Sequence, residues 1–167
     1  MKILLDTSYF LPLIKVSVEG IPKNILATLL GENRHQIFYS DVTMFELAAK
    51  GLKLAVTGTD ITVSDIQAGL DTIQHDPLLN RLAWSDNPPV LEIAKCLREI
   101  RPDFIDCLIL ATAACTVDAF ATLDRDLFTA VRKNPVFMEI IKKKNKDFSF
   151  WFGDLGRTPL RLMQHNS

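Results

Sequence analysis

The chain has little in it that would staple or anchor a fold. Its 167 residues include only three cysteines, Cys96, Cys107 and Cys115. An odd number without C-x-x-C spacing argues against a disulfide framework and against a structural zinc site. Buried helix thiols in a reducing compartment are the expectation. No segment approaches the roughly 18 uninterrupted apolar residues that a membrane helix needs. The apolar stretch after Met1-Lys2 is interrupted by Asp6 and Pro12 and lacks a small-residue cleavage site, so it does not read as a signal peptide. The three histidines, His35, His75 and His165, have no ligand spacing and are expected at the surface. There is no internal repeat, low-complexity tract or linker. Together these absences point to a soluble, cytoplasmic protein with no membrane partner.

What is present is an ordinary globular balance, 48% apolar and 23% charged residues. The length suits one compact domain, expected over residues 1–152, with residues 153–167 as a C-terminal tail. The net charge of −1 hides an asymmetry. Residues 1–124 carry ten Lys/Arg against sixteen Asp/Glu, whereas residues 125–167 carry nine against four. An acidic body followed by a basic end is consistent either with solvated faces or with a phosphate-contacting rim beside an acidic site.

Strand and helix patterns alternate along the chain. Residues 2–6 (KILLD), 36–39 (QIFY), 119–123 (AFATL) and 148–152 (FSFWF) read as strands, with 81–85 (RLAWS) a weaker one. Helices are expected over residues 7–16, from Pro22 to Gly31, and from Ser40 or Asp41 to Gly51, followed by a loop over 52–63. Further helices are expected from a Ser64/Gln67 capping pair to Asp76, from Pro88 to Ile100, from Pro102 through Cys115, over 125–133 and over 135–144. In the Pro102 helix the apolar positions Phe104, Leu108, Ala111 and Cys115 recur at helical spacing. Alternation of this kind implies an α/β fold with a largely parallel sheet.

The candidate chemistry lies where strands end. Asp6 closes the first strand and Asp124 follows the AFATL strand. In open α/β sheets ligands bind beyond the carboxyl ends of the strands, near the switch point. Glu46 lies within the helix after the second strand, and Asp106 lies in the first turn of an otherwise apolar helix, where a carboxylate is costly unless it is paired or holds a metal. Each acid also has an ordinary alternative: a helix cap for Asp6, a turn for Asp124, a solvated helix face for Glu46, a dipole partner for Asp106. Taken as a set, clustered carboxylates raise one another's pKa, and a divalent cation reverses that penalty. Oxygen ligands favour Mg²⁺ or Mn²⁺ over zinc, and such an ion can support in-line attack on a phosphate.

These segments resemble the PIN-domain nucleases and, within them, the VapC-type toxins of prokaryotic toxin–antitoxin pairs. LLDTSYFL (4–11) is similar to the family's opening strand, with its first acid at Asp6 and a hydroxyl at Ser8. SDVTMFELAAKG (40–51) resembles the segment that carries the second acid, Glu46. DCLILATA (106–113) resembles the helix that begins with the third, Asp106, and FATLDRDLF (120–128) resembles the region that carries Thr122 and the fourth acid, Asp124. The resemblance spans about residues 2–130. It implies a three-layer α/β/α fold with a five-stranded sheet in the order 3-2-1-4-5, which would place Asp6 and Asp124 on adjacent strands. It also implies Mg²⁺- or Mn²⁺-dependent cleavage of RNA, a homodimer, and an antitoxin partner. In that frame Asp6, Asp106, Asp124 and Glu46 hold metal and Ser8 and Thr122 orient carboxylates. Asp103 and Asp126 are supporting acids, Asp103 also being a candidate helix cap. Arg125, Lys142, Lys143 and Lys144 are candidate phosphate contacts.

Three rival readings remain. One is a PIN-type RNA-processing nuclease outside any toxin–antitoxin pair. A second is a catalytically silent PIN-like binding module. The third is a phosphotransfer fold with its Asp at the end of strand one. As a haloacid-dehalogenase phosphatase it would want D-x-D there, and this chain has Asp6-Thr7-Ser8; as a response-regulator receiver it would want an acidic pair before the phosphorylated Asp and a late strand-end Lys, and neither arrangement is present.

Overall fold

The computed structural model describes residues 1–19, 21–32 and 34–153. Five strands, β1 (Lys2–Leu5), β2 (Gln36–Ser40), β3 (Leu79–Leu82), β4 (Ala119–Thr122) and β5 (Ser149–Phe152), form one sheet in the order β3-β2-β1-β4-β5. Every neighbouring pair is parallel. The helices are α1 (Ile25–Gly31), α2 (Asp41–Val56), α3 (Val63–His75), α4 (Pro89–Arg98), α5 (Phe104–Thr116), α6 (Arg125–Lys133) and α7 (Pro135–Lys144). The three-layer α/β/α architecture and the strand order expected from the sequence are both present.

The layers follow from the two-residue period of a strand. Leu4, Phe120 and Phe150 share one face of the sheet and pack with α4, α5, α6 and α7. Ile3, Leu5, Ile37, Tyr39, Ala119 and Ala121 share the other and pack with α1, Leu47 of α2, Ile73 of α3 and the Tyr9–Phe10 segment. The two central strands β1 and β4 are buried on both faces, which is why they are apolar without alternation. Edge strand β3 is mostly exposed and reads LNRL.

Several boundaries differ from the sequence reading. Residues 7–16 form two 3₁₀ turns, Thr7–Tyr9 and Leu11–Ile14, instead of one α-helix. A helix begun at Thr7 would carry Pro12 in its interior, without an N–H and with its ring against the Ser8 carbonyl. The second turn closes at Lys15, whose φ of 62° is the one positive value at a non-glycine among the described residues. Helix α1 starts at Ile25, because residues 22–25 are taken up by a turn closed by the Ile25 N–H on the Pro22 carbonyl. Helix α2 runs past Gly51 to Val56. Gly51 does not end it: a Cβ there would stand 2.7 Å from Cγ1 of Ile66, so the glycine lets α3 approach. The reciprocal cap of α3 is Thr62 with Asp65, not Ser64 with Gln67. Strand β3 lies two residues before the expected 81–85, because Leu79 supplies its buried position opposite Ile37, and Trp84–Asp86 is a 3₁₀ turn. In α5, Leu108 and Ala111 are buried but Phe104 is exposed on the first turn, beyond the core. Cys107 is buried and Cys115 half-buried, but Cys96 is exposed on the solvent side of α4. His75 is exposed, whereas His35 is half-buried edge-on against Trp151. His165 and most of the expected tail lie outside the described residues.

Gly69 makes the tightest approach of this kind. A Cβ on it would stand 2.6 Å from Cγ2 of the fully buried Ile14 and 2.8 Å from the Leu13 carbonyl oxygen, which is backbone and cannot swing aside. Gly69→Ala is therefore expected to destabilise by about 1–3 kcal/mol, outweighing the roughly 1 kcal/mol that alanine gains in a helix interior. Urea unfolding measures this, and a midpoint equal to or above the parent's would show that α3 does not press on the Leu13–Ile14 turn.

Candidate active site at the carboxyl edge of the sheet

All five strands end at one edge, and three acids from separate elements are buried there. Asp6 is 5% exposed, Glu46 8% and Asp106 7%, values at which a carboxylate needs partners. Asp6 follows β1 directly, and its N–H continues the sheet by bonding the Ala121 carbonyl at 2.8 Å. Its Oδ2 accepts from the Ser8 hydroxyl at 2.6 Å and the Thr122 hydroxyl at 2.9 Å, with a longer bond from the Ser8 N–H. Each hydroxyl also accepts: Ser8 Oγ from the Leu123 N–H and Thr122 Oγ1 from the Asp124 N–H. These two small side chains thus tie Asp6 on β1 to the end of β4 across the switch point. Burial pushes the Asp6 carboxyl above its ordinary pKa, the hydroxyl bonds pull it back, and the charge of Glu46 raises it further.

Asp124 caps α6, its Oδ1 accepting from the Asp126 and Leu127 N–H groups at 2.7 and 2.9 Å. Its Oδ2 faces inward. Asp124 is therefore a helix cap, and not the turn residue that its ordinary alternative had it, while also belonging to the acidic edge. Asp103 caps α5, accepting from Ile105 and Asp106, and Asp126 is exposed at the start of α6.

Two cations stand among the acids. Lys50 Nζ is 2.6 Å from Glu46 Oε1, one helical turn away. Glu46 Oε2 also accepts from the Thr7 hydroxyl. Burial works against the Lys50 ammonium, but Glu46, then Asp6 and Asp106, outweigh it and hold its pKa above the ordinary value. Arg101 lies between α4 and α5, and its Nε and Nη2 both reach Asp106 Oδ2, at 2.6 and 2.5 Å. Nη2 is also 3.8 Å from Asp124 Oδ2, so the two carboxylate oxygens are no farther apart than those distances together allow. Burial pushes Asp106 up to about 6 even with Arg101 beside it.

Sequence reasoning found the four acids and the two bridging hydroxyls but not Arg101, Lys50 or Thr7. Lys50 was legible, because Glu and Lys four apart are neighbours on a helix. Arg101 is in a connection, where no periodicity points a side chain inward.

The basic candidates divide. Arg125 is exposed next to Asp124, at the same edge. Lys142, Lys143 and Lys144 are exposed at the end of α7, next to Asn145, whose side chain bonds the Val117 carbonyl just before β4 begins. That is the opposite edge of the sheet, and the structure does not bring these lysines to the acids. Beside the acids, Asp41, Val42, Phe45, Arg81, Trp84 and Leu108 line an open groove of about 400 Å³.

The donor set is oxygen only, without histidine or thiol, and suits a hard dication by type and by burial. Among the described residues no three His, Cys, Asp or Glu side chains converge as a ready metal-binding group. Arg101 and Lys50 supply positive charge where the carboxylates crowd.

Among known protein families, the PIN domain family model matches residues 3–134. No curated protein matches the chain.

The Thr122 bridge can be tested by itself. Thr122→Val keeps the side chain's shape but removes a donor to Asp6 and strands the Asp124 N–H. The expected cost is about 1–3 kcal/mol in urea unfolding. A variant as stable as the parent would show that the hydroxyl does not hold the two strand ends together.

Proposed function

Because the chain belongs to the PIN-domain family, whose members are generally metal-dependent nucleases, we propose that it is an endoribonuclease that hydrolyses RNA phosphodiester bonds with Mg²⁺ or Mn²⁺. One observation carries this reading above the others. Asp6, Glu46 and Asp106, from three separate elements, are each buried at the carboxyl edge of a parallel sheet, with Asp124 across the switch point. Burying like charges is unfavourable, and a divalent cation is the partner that makes such a cluster stable.

In this reading Asp6, Asp106, Asp124 and Glu46 would hold the ion. When bound, it would supply an electrophile for the scissile phosphate and activation of the attacking water. The chain's own residues do the positioning. Ser8 and Thr122 fix the orientation of Asp6. Thr7, in the turn after β1, and Lys50, one turn along α2, hold the Glu46 carboxylate. The cap that Asp124 makes with one oxygen leaves its other oxygen turned inward. Asp103 fixes the start of the helix that presents Asp106, and Asp126 shares the α6 terminus with Asp124. Arg125, exposed at that terminus, would meet a phosphate. Lys142–Lys144 would reach only RNA that extends to the far edge.

The domain assignment is likewise proposed: residues 1–152 form the nuclease unit and residues 153–167 a tail. The pairing of β5 with β4, outside the matched span, supports including it. No helix of the described residues is long and apolar enough to cross a membrane. The four sequence segments resemble, within the family, the VapC-type toxins, so we further propose a cytoplasmic, homodimeric toxin paired with an antitoxin. Against this stands the reading of a silent PIN-like binding module, which the cations already seated among the acids favour.

Two measurements decide between them. Asp6→Asn and Asp106→Asn are each expected to lose more than about a hundredfold in Mn²⁺-dependent cleavage of single-stranded RNA while remaining folded. Millimolar Mn²⁺ is expected to raise the parent's melting temperature and not that of Asp6→Asn, since a ligand that binds only the folded state stabilises it. Cleavage undiminished in both variants would remove the metal site. No cleavage and no Mn²⁺ shift in the parent would leave the binding module.

A further inference from the structure

Arg101 is held at both ends of its backbone. Its N–H bonds the Leu97 carbonyl at 2.9 Å, and its own carbonyl accepts from Arg98 Nη1 and from the Cys107 thiol. The side chain is 17% exposed and turned in toward the acids. Two of its N–H groups converge on a single oxygen, Asp106 Oδ2, and Nη2 also faces Asp124 Oδ2. The other oxygen of Asp124 is committed to capping α6. The oxygen that Arg101 faces is therefore the one Asp124 has left for a ligand. A guanidinium keeps its charge at any accessible pH, so it cannot yield its place by losing a proton. A pair of this kind at an open surface would matter little. Here both partners are largely out of water, where breaking the pair leaves an uncompensated charge.

We propose that Arg101 is an internal counter-ion of the carboxylate pocket, competing with the divalent cation for Asp106 and Asp124 and thereby setting the concentration at which the site loads. This rests on the metal-dependent reading given above. The consequence is a pair of opposite effects. Without metal, Arg101 holds the clustered acids together and stabilises the fold. Toward metal, the same contacts are an opposing interaction that binding must displace. Loss of a merely structural arginine would weaken the fold and metal binding alike; loss of a competitor weakens the fold and tightens metal binding.

The test titrates the full chain with Mn²⁺ by calorimetry at fixed salt, for the parent, Arg101→Gln and Arg101→Lys. Arg101→Gln is expected to lower the metal-free melting temperature and to bind Mn²⁺ about tenfold or more tightly, as loss of a charged hydrogen-bonded pair implies. Arg101→Lys is expected to fall between. In the parent labelled with ¹⁵N-arginine, the Nε–H signal of Arg101 is expected to move with Mg²⁺ along a saturating curve, a readout that holds even where a variant does not fold. Equal or weaker Mn²⁺ binding by Arg101→Gln, or an Nε–H signal that stays still while Mg²⁺ binds, would overturn the competition and leave the nuclease reading standing. Unchanged Mn²⁺ affinity with weaker RNA binding would assign Arg101 to the phosphate and equally overturn it. No metal binding by either the parent or Arg101→Gln would remove the nuclease reading and this inference with it.

Discussion

The repulsion between carboxylates packed out of water is the constraint around which this structure is organised. Three acids with less than a tenth of their surface exposed lie at one sheet edge, and a fourth, on a helix cap, faces Arg101 beside them. A fold that does this must supply compensation, and it does so in two forms. Hydroxyls at Ser8, Thr122 and Thr7 give hydrogen bonds to the charged oxygens. Arg101 and Lys50 give opposite charge. Desolvation still wins at Asp6 and Asp106, whose carboxyls are held above their ordinary range. Oxygen donors of one sign set largely out of water are the physical basis for reading the pocket as a divalent-cation site.

The sheet makes this crowding possible. Parallel strands deliver their carboxyl ends to a single edge, and the order β3-β2-β1-β4-β5 sets β1 beside β4. Asp6 and Asp124, more than a hundred residues apart in the chain, are then joined through one threonine hydroxyl. Helices α2 and α5 begin at the same edge, so Glu46 and Asp106 lie near their N-terminal ends. The rest of the core serves this placement: the apolar β1 and β4 are buried on both faces, and glycines at 51 and 69 let α3 pack close.

Local chemistry that was visible in the chain was sometimes assigned to the wrong residue. A capping box was expected before α3, and the one that forms uses Thr62 and Asp65, two residues earlier. Gly51 was expected to end a helix, but a glycine can also mark a close approach, and only the position of Ile66 decides which. The lysine run at 142–144 was grouped with the site on charge alone; α7 carries it to the other edge of the sheet. In each case the residue type was informative and its neighbour in space was not available.

By itself the sequence determined the α/β class and the two-sided burial of β1 and β4, legible because strand and helix periods act over a few positions along the chain, while the four candidate acids and the hydroxyls of Ser8 and Thr122 were marked by strand ends and by the resemblance to the PIN-domain family. Only the tertiary structure decided that Asp124 gives one oxygen to a cap, that Lys142–Lys144 stand away from the acids, and that Arg101 enters the pocket. The physical reason is that a charge pair forms across space. A side chain in a connection between helices carries no periodic mark of the direction it will take, and its partner's desolvation exists only once the layers have closed.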